Sequence, residues 1–494
     1  MNGYGKSDRP VVPANPPNKA TAAEVGEERG RAKGNTASKT RPGHSAGPDA
    51  PSALERVREV ARRDKETRFT ALLHHVDLDR LRAAYWAIRP QAAPGVDGVR
   101  WEAYGQDLQA NLQGLHQRVQ AGRYRARPSR RAYIPKADGR PRPLGIATLE
   151  DKIVQRAVVE VLNAVYETDF LGFSYGFRPG RGPHQALDAL AVGIWRKKVN
   201  WVLDADIRDF FTNLDHGWLE KFLEHRIADR RVLRLIRKWL AAGVIEDGDW
   251  SQTVQGAPQG ASVSPLLANV YLHYVFDLWA NWWRRRYARG DVIIVRFADD
   301  FIVGFEYQDD AQRFLHELRE RFAKFTLELH PEKTRLIEFG RYAAERRRAR
   351  GLGKPETFDF LGFTHICARM RDGRFWVRRI TISKRMRAKL RAVKDQLKRR
   401  RYQPIPEQGR WLAAVVRGHR AYYAVPGNRT AVAAFRTQVT RHWHEALQRR
   451  SQRTRINWAR MNRLATKWLP PARVTHPFPD VRFRVRTQGR SPVR

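Results

Sequence analysis

Cysteine is nearly absent: Cys367 stands alone among 494 residues. A single thiol excludes an internal disulfide framework and any Cys₂His₂ or Cys₄ zinc site, and it fits a reducing, cytoplasmic compartment. The chain also lacks a run of about 18 uncharged apolar residues, the length needed to span a bilayer. No apolar N-terminal segment resembles a secretion signal. Residues 1–52 hold almost no large apolar side chains and are rich in Gly, Pro, Ala, Ser and Lys. They cannot bury enough surface to offset ordering entropy, so a disordered basic tail is expected there. No internal repeat is visible. Acidic residues are scarce beside basic ones, 51 Asp+Glu against 93 Lys+Arg, for a formal net charge of +42. An excess spread along the whole length is first a nucleic-acid footprint; a membrane surface is the rival, and the chain has no spanning segment to support it.

What is present begins with Val292–Phe305, VIIVRFADDFIVGF. Two apolar, β-branched runs flank Ala298-Asp299-Asp300 and read as paired strands joined by a tight turn. Adjacent carboxylates on a buried hairpin repel, and a divalent cation would keep both ionised. An acidic turn facing water is the alternative. The decisive partner is the stretch Trp201–Phe211, WVLDADIRDFF. Strand alternation puts Val202, Asp204 and Asp206 on one face and Leu203, Ala205 and Ile207 on the other. A carboxylate ending an apolar strand is costly to bury unless it is paired or ligates a cation. Asp206 precedes the Asp299–Asp300 pair by about 90 residues, room for helices and a return to the same sheet.

Around these carboxylates the pattern alternates between strands and helices. Helical segments run from Ala53, break at the loop Pro90–Gly98 and resume to about Val119. Tyr133–Lys136 and Pro143–Ile146 read as strands about an Asp138-Gly139 turn, presenting Lys136, Arg140 and Arg142. Basic groups on a rigid hairpin suit nucleotide phosphates; a solvated charged turn is the other reading. A helix is expected over Leu149–Val165, a structured loop over Ser174–Arg181 and an amphipathic helix over about Pro183–Lys197. Gln255–Val275 reads as a Gly-rich loop entering a helix that Ser264 caps, with Pro265 at the first helical position. Beyond Arg371 the character changes to basic helices: Arg378–Arg401, Gly409–Tyr423 and Val432–Arg450. Cationic and aromatic surface of this kind suits RNA, and a plain solvated bundle is the alternative.

With these blocks in order, the chain resembles the reverse transcriptase/maturase proteins encoded by bacterial group II introns. The resemblance runs from about Phe69 to about Pro479. It rests on APGVDG at Ala93–Gly98, Tyr133–Lys136 with Arg142–Ile146, SYGFRPGR at Ser174–Arg181, and Asp204–Phe211. Further blocks are APQGASVSPLLANVYLH at Ala257–His273, RFADDF at Arg296–Phe301, HPEKT at His330–Thr334, FDFLGF at Phe358–Phe363 and RGHRAYYAVPGN at Arg417–Asn428.

The resemblance implies an α+β right-hand polymerase of fingers, palm and thumb with a C-terminal, mainly helical maturase (X) domain. It divides the chain into a tail (1–52), an N-terminal helical extension of the fingers (53–130), fingers and palm (131–370), a thumb/X domain (371–455) and a short basic segment (456–494). It assigns metal binding to Asp206, Asp299 and Asp300, with two Mg²⁺ ions as cofactor and Mn²⁺ as a substitute. Lys333 becomes a general-acid candidate near the leaving pyrophosphate; a surface salt bridge explains it equally well. Lys136 and Arg142 would contact the triphosphate, Phe211 would exclude the sugar 2′-hydroxyl, and Gln259 and Gly260 would line the nascent pair. Implied partners are the parent intron RNA, an RNA template with a DNA primer, dNTPs and target DNA, in a bacterial cytoplasm and at the nucleoid. The Cys- and His-bearing endonuclease of many relatives is expected to be missing. An alternative role is a domesticated polymerase in defence or DNA repair.

Overall fold

The computed structural model describes residues 53–135, 141–246, 249–251, 255–256, 260–450 and 456–482. Expectations for residues 1–52 fall outside them. The strands, in chain order, are β1 (Ser129–Pro135), β2 (Pro141–Ile146), β3 (Trp201–Asp206), β4 (Val244–Glu246), β5 (Asp249–Ser251), β6 (Val292–Phe297), β7 (Asp300–Phe305), β8 (Arg335–Glu338), β9 (Phe358–Phe360), β10 (Phe363–Arg369) and β11 (Phe375–Thr381). They form three sheets, in the orders β2-β1-β4-β5, β6-β7-β3-β8 and β11-β10-β9.

The sheet β6-β7-β3-β8 is central, and its pleat decides where the cores lie. Successive side chains on a strand point to opposite faces. Leu203 of β3 with Phe301 and Val303 of β7 therefore join one apolar cluster, while Val202 and Ile302 join another. On the first face pack helix Leu149–Asp169, through Ile153, Val158 and Leu162, and the helix beginning at Ser264, through Leu267 and Val270. The N-terminal helices join the same core through Leu81, Tyr85, Leu112 and Leu115. On the opposite face lie helix Pro183–Arg196 and β9–β11, contributing Leu187, Leu190, Phe358, Phe363 and Val377, with Val425. A third cluster belongs to four C-terminal helices, Ser383–Arg399, Ile405–Tyr423, Arg429–Gln448 and Trp458–Trp468, centred on Leu397, Leu412, Phe435, Trp443 and Met461.

The expected helix from Leu149 continues to Asp169, because the apolar spacing persists through Val165 and Tyr166. Arg378–Thr381, expected as the start of a basic helix, are strand residues of β11: Val377 faces Cys367, and Arg378 faces Ile366, across the pair with β10. The helix starts at Ser383 instead. β11 and β10 thus share a sheet across position 370.

The C-terminal segment folds back onto this junction. Thr475 donates its backbone N–H to Ala424 O at 2.9 Å. Arg482 Nε lies 2.9 Å from Asp188 Oδ2, while Arg379 Nη1 donates to Asp188 Oδ1 at 2.9 Å. A buried carboxylate on helix Pro183–Arg196 thereby ties β11 and the chain end together. No described helix is long and apolar enough to cross a membrane.

His365 of β10 is fully buried and stacks on Phe358 with ring centroids 4.7 Å apart. Burial first, and the nearby Arg379 guanidinium second, push its pKa down to about 3 from 6.5. Below pH 6.5 the unfolded chain takes up a proton that the folded chain refuses. The stability contributed by a neutral His365 is whole above that pH and drains at about 1.4 kcal/mol per pH unit as pH falls toward 3. His365→Phe, measured by chemical denaturation between pH 7 and pH 5, is expected to flatten the acid slope; an unchanged slope would contradict the assignment.

Candidate active site

The turn between β6 and β7 has two residues, Ala298 and Asp299; Phe297 pairs with Asp300, which is the first residue of β7. Ala298 takes φ +59°, the left-handed conformation that two-residue hairpin turns favour at a central position. That conformation is unfavourable for a residue with a Cβ and needs support from its surroundings. The loop Ser174–Arg181 supplies part of it. Gly176 lies so close that a Cβ there would sit 2.2 Å from Ala298 N. Asn269 Nδ2 donates to Gly176 O at 2.8 Å, holding the loop against the turn.

Asp206 and Asp300 stand directly opposite each other in the β3–β7 register. The two carboxylates expected to converge are thus strand neighbours, with Asp299 at the adjoining turn position. Burial raises Asp300 to about 7, and the Asp299 and Asp206 charges reinforce the shift. Asp204, two residues back on β3, is raised to about 6 by burial, opposed by Arg335 Nη2 at 3.5 Å. Lys333 also arrives here: its Nζ donates to Asp206 Oδ2 at 2.5 Å. The turn that carries it is docked by His330 N–H donating to Asp206 O at 2.8 Å. Among the described residues no three His, Cys, Asp or Glu side chains form a ready-made metal cluster, and Lys333 is the cation on Asp206.

Beneath the turn lies a residue the sequence reading passed over. Arg296 is fully buried, and all five of its N–H donors are used. Nε and Nη2 donate to the two oxygens of Asp277 at 2.7 and 2.6 Å, and Nη2 also to Ser174 Oγ at 2.7 Å. Nη1 donates to Asn269 Oδ1 at 3.1 Å and to Ala298 O at 3.0 Å. Asp277 ends a π-helical turn, His273–Asp277, and is fully buried. The available signal was a carboxylate inside the apolar stretch Val275–Trp279, which must be paired if buried.

The remaining predicted positions divide. Phe211 lies on the short helix Phe210–Asn213, partly buried against the first core, its ring 5.4 Å from that of Phe210. The loop ahead of Ser264 passes beside it: a Cβ on Gly256 would lie 2.7 Å from Phe211 O. Farther along, Gly260 has φ +112°, and a Cβ there would meet Gly145 O of β2 at 2.9 Å. This loop therefore bridges the Phe211 helix and the β1–β2 hairpin. Ser264 is the first helical residue, and Val263 occupies the cap position expected of Ser264. Arg142 pairs with Ile134 in the hairpin; its side chain, Lys136 and Gln259 lie outside the described residues. In the Ser174–Arg181 loop, Arg178 pairs with Glu167 at 3.1 Å and donates to Leu171 O and Ser174 O at 2.8 Å each. Arg178 is buried and fixes the loop from within.

Comparison with known proteins agrees with this geometry. Residues 134–365 match the family described as reverse transcriptase (RNA-dependent DNA polymerase). Over 240 residues the chain is 35% identical to protein YkfC of Escherichia coli (strain K12), covering 42% of this chain and 62% of the relative. It is 33% identical over 222 residues to the group II intron-encoded protein LtrA of Lactococcus lactis subsp. cremoris, covering 44% and 37%. A 91 kDa protein in the cob intron of Schizosaccharomyces pombe is 41% identical over 154 residues, covering 31% and 19%. The chain thus spans less than two thirds of the length of each of these curated relatives. The matched segment is a reverse transcriptase domain. Its relatives make the chain a homologue of the group II intron-encoded reverse transcriptase/maturase proteins.

Replacing Arg296 with Met strands a buried carboxylate, and the expected cost is about 3–5 kcal/mol of unfolding free energy, read from urea denaturation. The double change Arg296→Met/Asp277→Leu is expected to recover part of that loss. A single variant within about 1 kcal/mol of wild type would show that the turn does not depend on this guanidinium.

Proposed function

We propose that the chain is an RNA-directed DNA polymerase that also binds its parent group II intron RNA, assists its splicing and supports intron mobility by copying it into DNA. The observation that carries this reading is the Asp206–Asp300 register across β3 and β7, with Asp299 at the turn beside it. In this reading residues 131–370 are fingers and palm, 53–130 extend the fingers, 371–455 are the thumb and maturase X domain, and 456–494 a basic end segment.

The donor set suits a hard divalent cation. Asp206, Asp299 and Asp300 offer only oxygen, which favours Mg²⁺ and admits Mn²⁺. Burial raises Asp300 to about 7, and the repulsion from Asp299 and Asp206 that adds to this rise is what a cation would relieve. Asp206, Asp299 and a backbone carbonyl beside Asp206 would hold two Mg²⁺ ions, with Asp300 alongside. Such a pair, when bound, lowers the pKa of the primer 3′-hydroxyl and offsets charge on the leaving pyrophosphate.

The chain's own residues do the positioning. Lys136 and Arg142 on the hairpin grip the triphosphate, and Gln259 and Gly260 line the nascent pair. The close approach of Gly260 to Gly145 supports that arrangement, because a side chain there would push the loop off the hairpin. Phe211 presents its ring to the sugar and leaves no room for a 2′-hydroxyl. Lys333 neutralises Asp206 before substrate arrives and, more than half exposed, is free to swing to the departing pyrophosphate and donate a proton. In-line attack on the α-phosphate then depends mainly on alignment and charge stabilisation.

Asp299→Ala/Asp300→Ala is expected to abolish dNTP incorporation on a primed RNA template while RNA affinity stays within a few-fold of wild type. Chelation of Mg²⁺ should have the same effect on incorporation. Wild-type-like extension by the double variant would remove these carboxylates from the chemistry. Efficient rNTP use would favour an RNA polymerase instead.

The surplus of basic residues supports the RNA-binding half of the proposal. Affinity for intron RNA is expected to fall about 10³–10⁵-fold between 50 and 200 mM salt if 6–10 phosphates are contacted. A flat response, measured by filter binding, would oppose an electrostatic clamp.

A further inference from the structure

Phe177 combines two costly features. It holds φ +59°, a conformation bulky side chains rarely adopt, and it leaves 51% of its surface exposed. Among the described residues it belongs to none of the three apolar clusters. Both costs persist because the loop around it is fixed on every side. Tyr175 N–H donates to Arg296 O at 2.8 Å, Asn269 holds Gly176 O, and the buried Arg178 guanidinium ties Ser174 O and Leu171 O to Glu167. Gly176, the preceding residue, rests on Ala298 of the carboxylate-bearing turn. A rigid, half-bare ring thus stands one residue from the contact that supports the reacting centre. Strain kept at such a place indicates use.

We infer that Phe177 packs against the template–primer hybrid beside the catalytic turn and sets the height of the primer terminus over Asp206, Asp299 and Asp300. The inference rests on the polymerase reading and adds a contact to it. A primer whose 3′ end lies at these carboxylates must carry its newest base pairs across the adjoining surface. An A-like hybrid turns a wide, shallow minor groove of sugar and base edges to the protein, and a flat apolar ring fits that groove without reading sequence. The loop's two arginines are engaged by the protein itself: the Arg178 guanidinium is buried, and Arg181 Nη1 donates to Gly172 O at 2.6 Å. The contact is therefore made through the ring, which favours the sugar face of a duplex over a bare phosphate strand.

The test uses the full chain with Phe177→Gly and Phe177→Tyr. Glycine accepts the positive φ without strain, so its melting temperature should equal or exceed that of wild type. Affinity for an RNA-template/DNA-primer hybrid with a recessed 3′ end, read by fluorescence anisotropy, should fall about tenfold or more. Affinity for single-stranded RNA of the same length should not change. In primer extension the KM for the hybrid should rise and kcat should fall, since the primer terminus is no longer held over the carboxylates, and Phe177→Tyr should behave as wild type. The inference is overturned if Phe177→Gly binds the hybrid normally, or loses hybrid and single strand equally. It is also overturned if both variants melt well below wild type, which would make the ring a core element. Should wild type bind the hybrid through Phe177 yet extend no primer, the polymerase reading fails while the contact stands.

Discussion

One guanidinium holds the carboxylate-bearing turn in shape. Arg296 reaches helix Ser264–Leu272 through Asn269, the π-helical turn through Asp277, the Ser174–Arg181 loop through Ser174, and its own hairpin turn through Ala298 O. Burying a charge costs several kcal/mol, and the cost is offset only when the pairing is complete and well aligned. Here no donor is left over. The arrangement works as a specification rather than as a source of stability: shifting any of the four partners would strand part of a buried cation. A turn with left-handed Ala298, carrying Asp299 and leading into Asp300, is thereby locked to the element that faces it. Polar networks that are fully satisfied impose this kind of uniqueness, whereas an apolar core tolerates repacking.

The electrostatics above the turn are the reverse of those below it. Beneath, positive and negative charge are matched. Above, Asp206, Asp299 and Asp300 converge with one lysine between them, and burial adds to their repulsion at Asp300. A fold whose aim was stability alone would not place Asp206 and Asp300 as directly opposed strand neighbours, since like charges facing across a ladder are unfavourable. The cluster carries a deficit of positive charge, which is the electrostatic condition a cation would relieve. Lys333 is long and mostly exposed, whereas Asp206 and Asp300 are strand residues and Asp299 sits in the turn between β6 and β7.

Much of this was legible in the sequence, for identifiable reasons. The β-branched runs about Ala298–Asp299 and the alternation in Trp201–Asp206 report a period of two, which survives any tertiary context. From that period alone Asp206 belongs on an apolar strand, and a buried carboxylate asks for a partner. The order of the blocks supplied the remaining candidates, of which Lys136, Gln259 and the Arg142 side chain lie outside the described residues. The structural arginines were hidden because an arginine has one letter and two uses. Arg178, Arg296 and Arg379 read as members of a basic surplus, yet each is buried and paired. Only three-dimensional proximity to Glu167, Asp277 and Asp188 separates them from the arginines on the surface. The strand character of Arg378–Thr381 was masked in the same way: four basic residues among Arg378–Arg385 outweighed the β-branched Val377, Ile380 and Thr381.

This division of the arginines bears on what the surface can do. The buried pairs cancel within themselves: Arg178 with Glu167, Arg226 with Asp169, Arg296 with Asp277, and Arg379 with Asp188. Each joins segments distant in the chain, and the last is shared with Arg482, so the C-terminal segment is held at the junction of the central sheet with the C-terminal helices. Because these pairs remove acid and base in equal number, they leave the chain's formal net charge of +42 unaltered. Charge on the surface destabilises the compact chain by self-repulsion, and a polyanion relieves that repulsion as it binds. The same residue type thus serves two opposed needs. Inside, a planar fork with five donors fixes loops that hydrophobic packing would leave adjustable; outside, the basic surplus creates the positive field that a polyanion would neutralise.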